Sequence, residues 1–367
     1  MLRNKIGLLV LAILFNIIQV EACRYTIREI GFSALNKVTY ILYRVDSYTA
    51  TFPNQLAAGF KSSNIKTHAI NASIEKDNQV IAFAKSQNKG FPVYVLVDIN
   101  KRMLALSAAE YKNKIVSGVL ASPIQQQLQE KLPVNYATVL LIEGREAESN
   151  HLARQHILKT CKHIENIMPN MPKQVDLGPD MTVIEQSNFE DEKVLLWSLG
   201  VDEVPKKPIA FILYAKGRIM GEQVDFEDII SEKLYGLMSI IGADCECGLD
   251  RKWMLGYQVP LDWPKDIRQG LSDRLGFDVD NPMVLTEMSR ILAIENRAPK
   301  TPDGISFEPI VVDLDKEFND IPEIEHKVLT IVDGGTGNTS NQIIWYSMLG
   351  LLLIISVGSF FILKKKS

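Results

Sequence analysis

Two stretches of the sequence decide its fold: GFPVYVLVDINKRMLAL at residues 90–106 and KKPIAFILYAKGRIMGEQV at residues 206–224. Each stretch places a proline directly before an apolar run, and a turn sequence and a second apolar run follow. Apolar runs rich in β-branched and aromatic residues, bounded by turn residues, predict β-strands. Two strands joined by a short turn form a hairpin, so the sequence predicts the same hairpin twice.

The residues before the first stretch alternate between strand and helix patterns. A β-branched and aromatic run at 38–45 predicts a strand, and Pro53 opens a helix. A second strand covers 65–70, and Gly90 closes a second helix. With the hairpin and a helix from about residue 108, the order of elements in the first half is βαβαββα.

The second half of the chain repeats this order. Its predicted elements are a strand at 136–144, a helix at 148–168, a strand at 181–187, a helix at 190–201, the hairpin at 208–224 and a helix at 226–241. Alternating strands and helices predict parallel pairing through right-handed crossovers, and each late hairpin adds an antiparallel edge. The sequence therefore predicts an α/β protein with two similar halves.

Each half resembles a thioredoxin-like domain, and together the two cover roughly residues 37–241. The marker is the proline before the third strand, Pro92 in one half and Pro208 in the other. The resemblance implies that both prolines follow cis peptide bonds and face the position of the thioredoxin active site. It implies two tandem thioredoxin-like domains, at residues 23–132 and 133–248.

The cysteine chemistry of thioredoxins does not carry over to this sequence. In that family a Cys-x-x-Cys motif follows the first strand, where the helix amino terminus lowers the pKa of a thiol. The matching stretches here are RVDSYTATFPN at 44–54 and IEGREAESNHL at 142–152, and neither contains cysteine. A scaffold of this kind without its dithiol favours a binding or architectural module over an enzyme.

The cysteines leave several alternatives open. Cys245 and Cys247 flank one glutamate; they could pair with Cys23 or Cys161 as a structural staple, exchange disulfides as a redox pair, or bind copper or zinc through two thiolates. Cys161 lies inside a predicted helix, where it is expected to be a small buried apolar residue. Cys23 directly follows the predicted leader, so it is also a candidate for lipidation.

Residues 249–300 form an aromatic-rich helical extension. Trp253, Tyr257 and Trp263 alternate with prolines in its first part. One interpretation is that the extension wraps against the second domain. The other is that these aromatic residues are exposed and bind a partner, because tryptophan and tyrosine dominate interface hot spots.

Both ends of the chain predict export and membrane attachment. Residues 1–22 fit a signal peptide. Residues 343–363 are uncharged and long enough to cross a bilayer, and the basic tail at 364–367 places their far end in the cytosol. Residues 301–342 form an extended stalk between the body and the span. The sequence favours a plasma membrane with the body periplasmic or extracellular; in a eukaryote the alternative is the endoplasmic reticulum membrane.

Charge and motif content narrow the function. The net charge of −4 argues against nucleic acid as a partner, and no cofactor motif is present. We therefore expect a membrane-anchored accessory or docking protein, a subunit of a membrane complex that binds a membrane or exported protein. The alternative is a thiol–disulfide exchange or copper- or zinc-handling protein that uses Cys245 and Cys247.

Overall fold

Two four-stranded sheets form the framework of the protein. The computed structural model describes residues 25–35, 40–75, 78–107, 115–243 and 256–294, which all belong to one compact unit. The first sheet consists of β1 (Tyr40–Asp46), β2 (Ile65–Asn71), β3 (Val93–Val97) and β4 (Met103–Ser107), and the second consists of β5 (Thr138–Ile142), β6 (Asp180–Ile184), β7 (Ile209–Tyr214) and β8 (Arg218–Ile219).

The two sheets share one topology. The strand orders are β2-β1-β3-β4 and β6-β5-β7-β8. In each sheet the first two strands of the chain pair in parallel, and the other neighbours pair antiparallel. This mixed α/β architecture has the order and directions that two tandem thioredoxin-like domains require. We call the strands β1–β4 with their helices the first module, and β5–β8 with theirs the second module.

Eleven α-helices connect or cover the sheets in the described ranges. They are α1 (Ile27–Phe32), α2 (Asn54–Ala58), α3 (Gln79–Ser86), α4 (Ile115–Leu120), α5 (Pro123–Lys131), α6 (Ala147–Ile167), α7 (Lys193–Ser198), α8 (Phe226–Ile229), α9 (Lys233–Ile241), α10 (Lys265–Leu275) and α11 (Pro282–Ile294). The helix that the sequence predicts from about residue 108 is described from Ile115 onward, and residues 108–114 lie outside the described part.

Two sets of side-chain hydrogen bonds stabilise the first turn of helix α5. Ser122 and Gln125 form a reciprocal capping box, which satisfies two amide groups of the first turn. The buried Glu192 carboxylate accepts hydrogen bonds from Ser122 Oγ at 2.5 Å and from the Ile124 amide at 2.8 Å. Burial raises the pKa of Glu192, and these two hydrogen bonds oppose that shift. The start of α5 is therefore tied to the residue that precedes α7.

Each sheet is covered on both faces. Helix α3 packs on one face of the first sheet, and α4 packs with Val194 and Trp197 of α7 on the other. On the second sheet, α5 and α7 cover one face, while α1, α6, α8, α9, α10 and α11 contribute to the core on the other. Helix α7 thus packs against both sheets, with Val194 and Trp197 in the core of the first module and Leu195 and Leu196 in that of the second.

The predicted boundary at residues 132 and 133 separates the sheets but not the cores. Ile27, Ile30 and Phe32 of α1 are buried with the second sheet, although α1 precedes β1 in the chain. Ile124 and Leu128 of α5 are also buried with the second sheet. The apolar sides of α1 and α5 thus belong to the core of the second module, although both helices lie within the limits 23–132 that the sequence predicts for the first domain; the second predicted domain spans 133–248.

Two buried arginines fasten the amino-terminal segment. Arg28 donates to the carbonyls of Pro133 at 3.1 Å and Asn135 at 2.9 Å, just beyond the end of α5. Arg218 of β8 donates to the carbonyls of Gly31 at 2.9 Å and Leu35 at 2.5 Å. Burial lowers the pKa of both guanidinium groups, that of Arg28 to about 10. The backbone carbonyl oxygens accept hydrogen bonds from the N–H groups of these two buried guanidinium ions.

A segment that we call the strap, residues 256–263, runs between the modules. Tyr40 Oη of β1 donates to the carbonyl of Gln258 at 2.8 Å, and Asn64 Nδ2 donates to the carbonyl of Val259 at 3.1 Å. Its Val259 amide also donates to the carbonyl of Gly217 in the second module, at 3.0 Å. The strap therefore bonds to both modules with its backbone.

An aromatic and ionic cluster adds a second connection. Arg102 follows the β3–β4 turn and pairs with the buried Asp98 at 2.6 Å. Its guanidinium lies 5.3 Å from the ring centre of Trp197 and donates to the carbonyl of Ser198 at 3.3 Å. The ring of Tyr40 lies 6.2 Å from that of Trp197. Tyr40 of β1 thus packs against α7, and Arg102 both packs against it and donates a hydrogen bond to it.

The predicted leader at 1–22, the stalk at 301–342, the span at 343–363 and the tail at 364–367 lie outside the described residues. Within the part of the chain that the structure describes, we find no helix with the length and apolar character that a membrane crossing requires.

Candidate functional site

The end of the first sheet where β1 and β2 finish and β3 starts is the position of the active site in thioredoxin-like folds. Asp46 pairs with Asn71 at the last positions of β1 and β2, and Val45 pairs with Val93 at the start of β3. The loops that follow β1 and β2 and the loop that precedes β3 therefore meet at one end of the sheet. We call this end the rim of the first module.

Large apolar side chains are exposed in these three loops. Tyr48 is 93% exposed, Ile74 is 75% exposed and Phe91 is 38% exposed. Single exposed apolar residues are ordinary on protein surfaces, but three in converging loops indicate an interaction site. We call these three residues the apolar rim.

Hydrogen bonds hold the loops of the apolar rim in place. Arg44 pairs with Asp46 and donates to the carbonyl of Thr51 at 2.9 Å. The other Asp46 oxygen accepts from the Tyr48 amide at 3.0 Å. Ser73 Oγ donates to the carbonyl of Ser47 at 2.8 Å, which links the loop after β2 to the loop after β1. An ordered loop loses less conformational entropy when a partner binds.

The two predicted cis prolines differ. The Phe91–Pro92 peptide bond is cis, at the start of β3 beside the apolar rim. The bond before Pro208 is not among the cis bonds of the described residues, so the expectation for Pro208 was wrong. The segment before Pro208 runs alongside the loop after β5. The carbonyls of Pro205 and Lys206 in this segment accept hydrogen bonds from the amides of Arg145 and Glu146 in that loop. The usual trans bond, favoured by about 0.5–1 kcal/mol, fits this path.

The matching end of the second module is closed by its own chain. A Cβ on Gly144 would lie 2.4 Å from the carbonyl carbon of Lys207, so the two segments are in direct backbone contact. Charged side chains surround this contact: Arg154 pairs with Glu143 at 2.7 Å, and Lys207 pairs with Glu227 at 2.7 Å. This end of the second module is filled and ionic, whereas the rim of the first module is open and apolar.

The described residues place no thiol at either end. The chain after β1 and the chain after β5 contain no cysteine up to the first turn of the following helix. Cys161 lies in the middle of α6, free and buried in the apolar core of the second module. Burial raises the pKa of its thiol to about 12. Cys161 therefore forms no disulfide with a described residue, and its candidate partners Cys23, Cys245 and Cys247 lie outside the described part of the chain.

The remaining predicted site residues divide into two groups. Trp263 is buried in the core of the second module, and Tyr257 is half-buried with its ring 6.1 Å from that of Tyr40. Both belong to the strap, so their prediction as exposed partner-binding residues was wrong: the space between the modules buries them. Four predicted residues, Cys23, Cys245, Cys247 and Trp253, lie outside the described part of the chain.

Metal-ligating groups are not clustered in the described ranges. No group of three histidine, cysteine, aspartate or glutamate side chains there could hold a metal ion. His163 Nδ1 is buried without a hydrogen-bond partner, and its ring lies 4.7 Å from that of Tyr235. This arrangement is ring packing between α6 and α9 rather than a ligand set. The proposed metal pair, Cys245 and Cys247, lies outside these ranges.

Sequence reasoning missed the apolar rim. Its signal was present, since Tyr48, Ile74 and Phe91 each stand in a loop of otherwise mostly polar residues. The three loops are far apart in the sequence, however, and only the pairing of β1 with β2 and β3 brings them to one end of the sheet.

No family model matches the chain, and no curated protein matches it. Among solved structures, the chain is similar to the first two thioredoxin domains of Eps1p from Naumovozyma dairenensis, with 13% identity, 60% of this chain and 97% of that chain covered, and a TM-score of 0.21. The strand orders and directions described above carry the thioredoxin-like assignment.

Proposed function

We propose that this chain is an exported, membrane-anchored accessory or docking protein that binds a partner polypeptide at the apolar rim. The observation that carries the proposal is that exposed apolar side chains, and not cysteines, occupy the described loops at the rim of the first module. Tyr48 lies in the loop after β1, where a thioredoxin carries its dithiol, Ile74 and Phe91 lie in the two adjoining loops, and no cysteine accompanies them in the described part of these loops. Apolar and aromatic groups of this kind supply binding energy rather than redox chemistry.

The location and partner follow from the termini. The leader at 1–22 and the span at 343–363 support a single-pass protein whose body lies outside the cytosol. We propose a plasma membrane location, or the endoplasmic reticulum membrane in a eukaryote. A body tethered at the bilayer meets membrane proteins and exported proteins at high effective concentration. The partner is therefore proposed to be one of these, within a membrane complex.

The contrast between the modules supports one docking end. In the second module, ion pairs and backbone contacts already satisfy the groups at the corresponding end. In the first module, the described residues leave most of the surface of Tyr48 and Ile74 uncovered, and a partner that covers these side chains gains the free energy of burying them. The second module then serves as support, since it shares α7 and the strap with the first.

The test compares two identical substitutions at opposite ends of one sheet. Ile74→Glu places a charge in the apolar rim, whereas Ile99→Glu places it in the β3–β4 turn, where Ile99 is 61% exposed. A photoreactive residue at position 48 of the full-length protein, in its native membrane, captures the partner. We expect Ile74→Glu to lower capture at least about tenfold, the size of a hot-spot loss, and Ile99→Glu to leave it unchanged.

Equal capture by the two variants contradicts docking at the rim. The alternative function is tested in parallel with a Cys245→Ser, Cys247→Ser double variant. If this double variant loses function while Ile74→Glu retains it, the thiol–disulfide or metal-handling function is supported and the docking function is wrong.

A further inference from the structure

Glu192 places a buried carboxyl group where α5, α7 and the strap meet. It directly precedes α7, and the residue is 1% exposed. One oxygen accepts a hydrogen bond from the Ser122 hydroxyl and the other from the Ile124 amide, 70 and 68 residues earlier in the chain. Gln125, the partner of Ser122 in the capping box, donates to the carbonyl of Pro260 in the strap at 2.8 Å. We call Ser122, Gln125 and Glu192 the junction.

The junction contacts the elements that connect the two modules. Ser122 stands between α4, which is buried with the first sheet, and α5, which is buried with the second. Helix α7 begins at Lys193, next to Glu192, and its residues enter the cores of both modules. A change in the charge of Glu192 therefore acts on α5, α7 and the strap together.

The hydrogen bonds of the junction can persist when the carboxyl group is protonated. The Ile124 amide donates to Oε1 in either state. The Ser122 hydroxyl can donate or accept, so it can turn and accept a hydrogen bond when Oε2 takes a proton from the solvent. The Ser122 oxygen has two lone pairs, and the Gln125 amide, at 3.3 Å, uses one of them. Protonation thus removes a buried charge and keeps both contacts of the carboxyl group.

The surroundings of Glu192 favour this protonated form. Burial is the largest influence on its pKa and raises it, and the negative charge of Asp191 acts in the same direction. The hydrogen bonds from Ser122 and Ile124 lower the pKa, but the net shift is upward. The described part of α4 has no titratable side chain. Those of the other surrounding elements are Glu190, Asp191 and Lys193 beside Glu192 in the chain, Glu130 and Lys131 at the end of α5, and Tyr257 and Asp262 of the strap.

We propose that the junction is a pH-sensitive switch, in which protonation of Glu192 tightens the packing of α5 against α7 and the strap. This inference goes beyond the proposed function, because it depends neither on the apolar rim nor on membrane attachment. The folded protein holds the proton more tightly than the unfolded chain, whose carboxyl pKa has its ordinary value of 4.5. The stabilisation is therefore complete below pH 4.5 and is lost as the pH rises through the higher pKa of the folded state.

Hydrogen exchange of the full-length protein, read at the amides of the first turn of α5, tests the proposal. Glu192→Gln mimics the protonated side chain, because its carbonyl can accept from Ile124 and its amide can donate to Ser122. We expect this variant to exchange more slowly than wild type at pH 7.5 and at about the wild-type rate at pH 4.5. The comparison at equal pH cancels the intrinsic pH dependence of exchange and the titration of other groups.

Two further variants distinguish proton binding from a purely structural role. Glu190→Gln makes the same change at an exposed position two residues earlier, and we expect the wild-type rate at both pH values. Ser122→Ala removes a hydrogen bond that lowers the pKa of Glu192. Measured against its own double variant with Glu192→Gln, it should move the midpoint of the pH dependence upward. Loss of the helix cap alone would change exchange equally at every pH.

Three results would overturn the proposal. They are a ratio of the Glu192→Gln and wild-type rates that does not change with pH, the same pH-dependent ratio in Glu190→Gln, and an unchanged midpoint in Ser122→Ala. A carbon-13 NMR titration of the Glu192 carboxyl group in the wild-type protein keeps the test decisive if Glu192→Gln does not fold. We expect its midpoint above 4.5, and a midpoint at or below this value would also contradict the switch.

Discussion

The buried thiol of Cys161 makes the stability of the second module depend on pH. Its pKa rises from 9.0 to about 12 on folding, so the unfolded chain loses this proton first as the pH increases. The thiol's contribution to the free energy of unfolding is complete below pH 9 and falls as the pH rises toward 12. We expect the stability difference between wild type and Cys161→Ala to fall by about 1.4 kcal/mol between pH 8 and pH 10.

Urea unfolding of the two proteins at both pH values measures this difference. Comparing wild type with the alanine variant cancels the buried tyrosines, whose pKa values are also raised. Peptide mapping after alkylation of the native protein at pH 9 provides the control, and we expect Cys161 to be unmodified. A stability difference that does not change with pH would show that the thiol is solvated in the folded protein.

At the scale of single elements, two glycines have opposite roles. Gly144 lies where the loop after β5 touches the backbone before β7, and its added Cβ would lie 2.7 Å from the Lys206 carbonyl oxygen. Gly236 lies inside α9, and apart from its chain neighbours and the backbone of its own helix no atom lies within 4 Å of its added Cβ. We expect Gly144→Ala to destabilise the protein by about 2 kcal/mol or more and Gly236→Ala to stabilise it by about 1 kcal/mol.

Both variants carry the same added methyl group, so each controls for the other in thermal and urea unfolding. The contact at Gly144 is with backbone, which cannot rotate away as a side chain can. Equal stability of the two variants would mean that the closed end of the second module opens at little cost.

Elements with a local pattern could be predicted from the sequence, and elements defined by distant contacts could not. Strands β3 and β7 are runs of β-branched and aromatic residues that turns delimit, so composition alone reveals them. In the strap, Val259, Leu261 and Trp263 alternate with polar residues and proline, a pattern equally typical of an exposed segment. Contacts such as that of Asn64 with Val259, separated by 195 residues, bury it.

In the candidate site, too, features of the local sequence could be predicted and features that depend on distant contacts could not. The lack of cysteine after β1 and β5 is visible in the sequence, and from it the sequence predicts that thioredoxin chemistry is absent at those positions. The apolar rim depends on strand register, which single-sequence patterns do not specify across loops. The buried Arg218 follows a turn glycine, where an exposed arginine is the usual expectation.

At the scale of the whole molecule, the strap contacts both modules, so we expect the two modules to fold as one unit. Trp263 is buried in the core of the second module, while its backbone amide donates to the carbonyl of Ser62 in the first module at 3.1 Å. We expect the wild-type body to unfold in one transition and Trp263→Ala to lower its stability by about 3 kcal/mol. Hydrogen exchange of β1–β4 and β5–β8 should accelerate in both sheets of this variant.

Leu158→Ala is the control, since Leu158 is 55% exposed on α6 and its truncation should change stability by less than about 0.5 kcal/mol. Two separate transitions in the wild-type protein, or faster exchange confined to the second sheet of Trp263→Ala, would show that the modules fold independently.

The hydrogen bonds from Arg218 to the amino-terminal segment determine when this segment can reach its final contacts during translation. Arg218 bonds to the carbonyl of Gly31, which precedes it by 187 residues. Helix α1, with its apolar Ile27 and Phe32, is made near the start of translation but acquires this bond only after β8 has emerged. During that interval the apolar residues of α1 lack their partners in the second module. Chaperones recognise such exposed apolar segments, and a chain whose synthesis stalls at this stage is prone to misassembly.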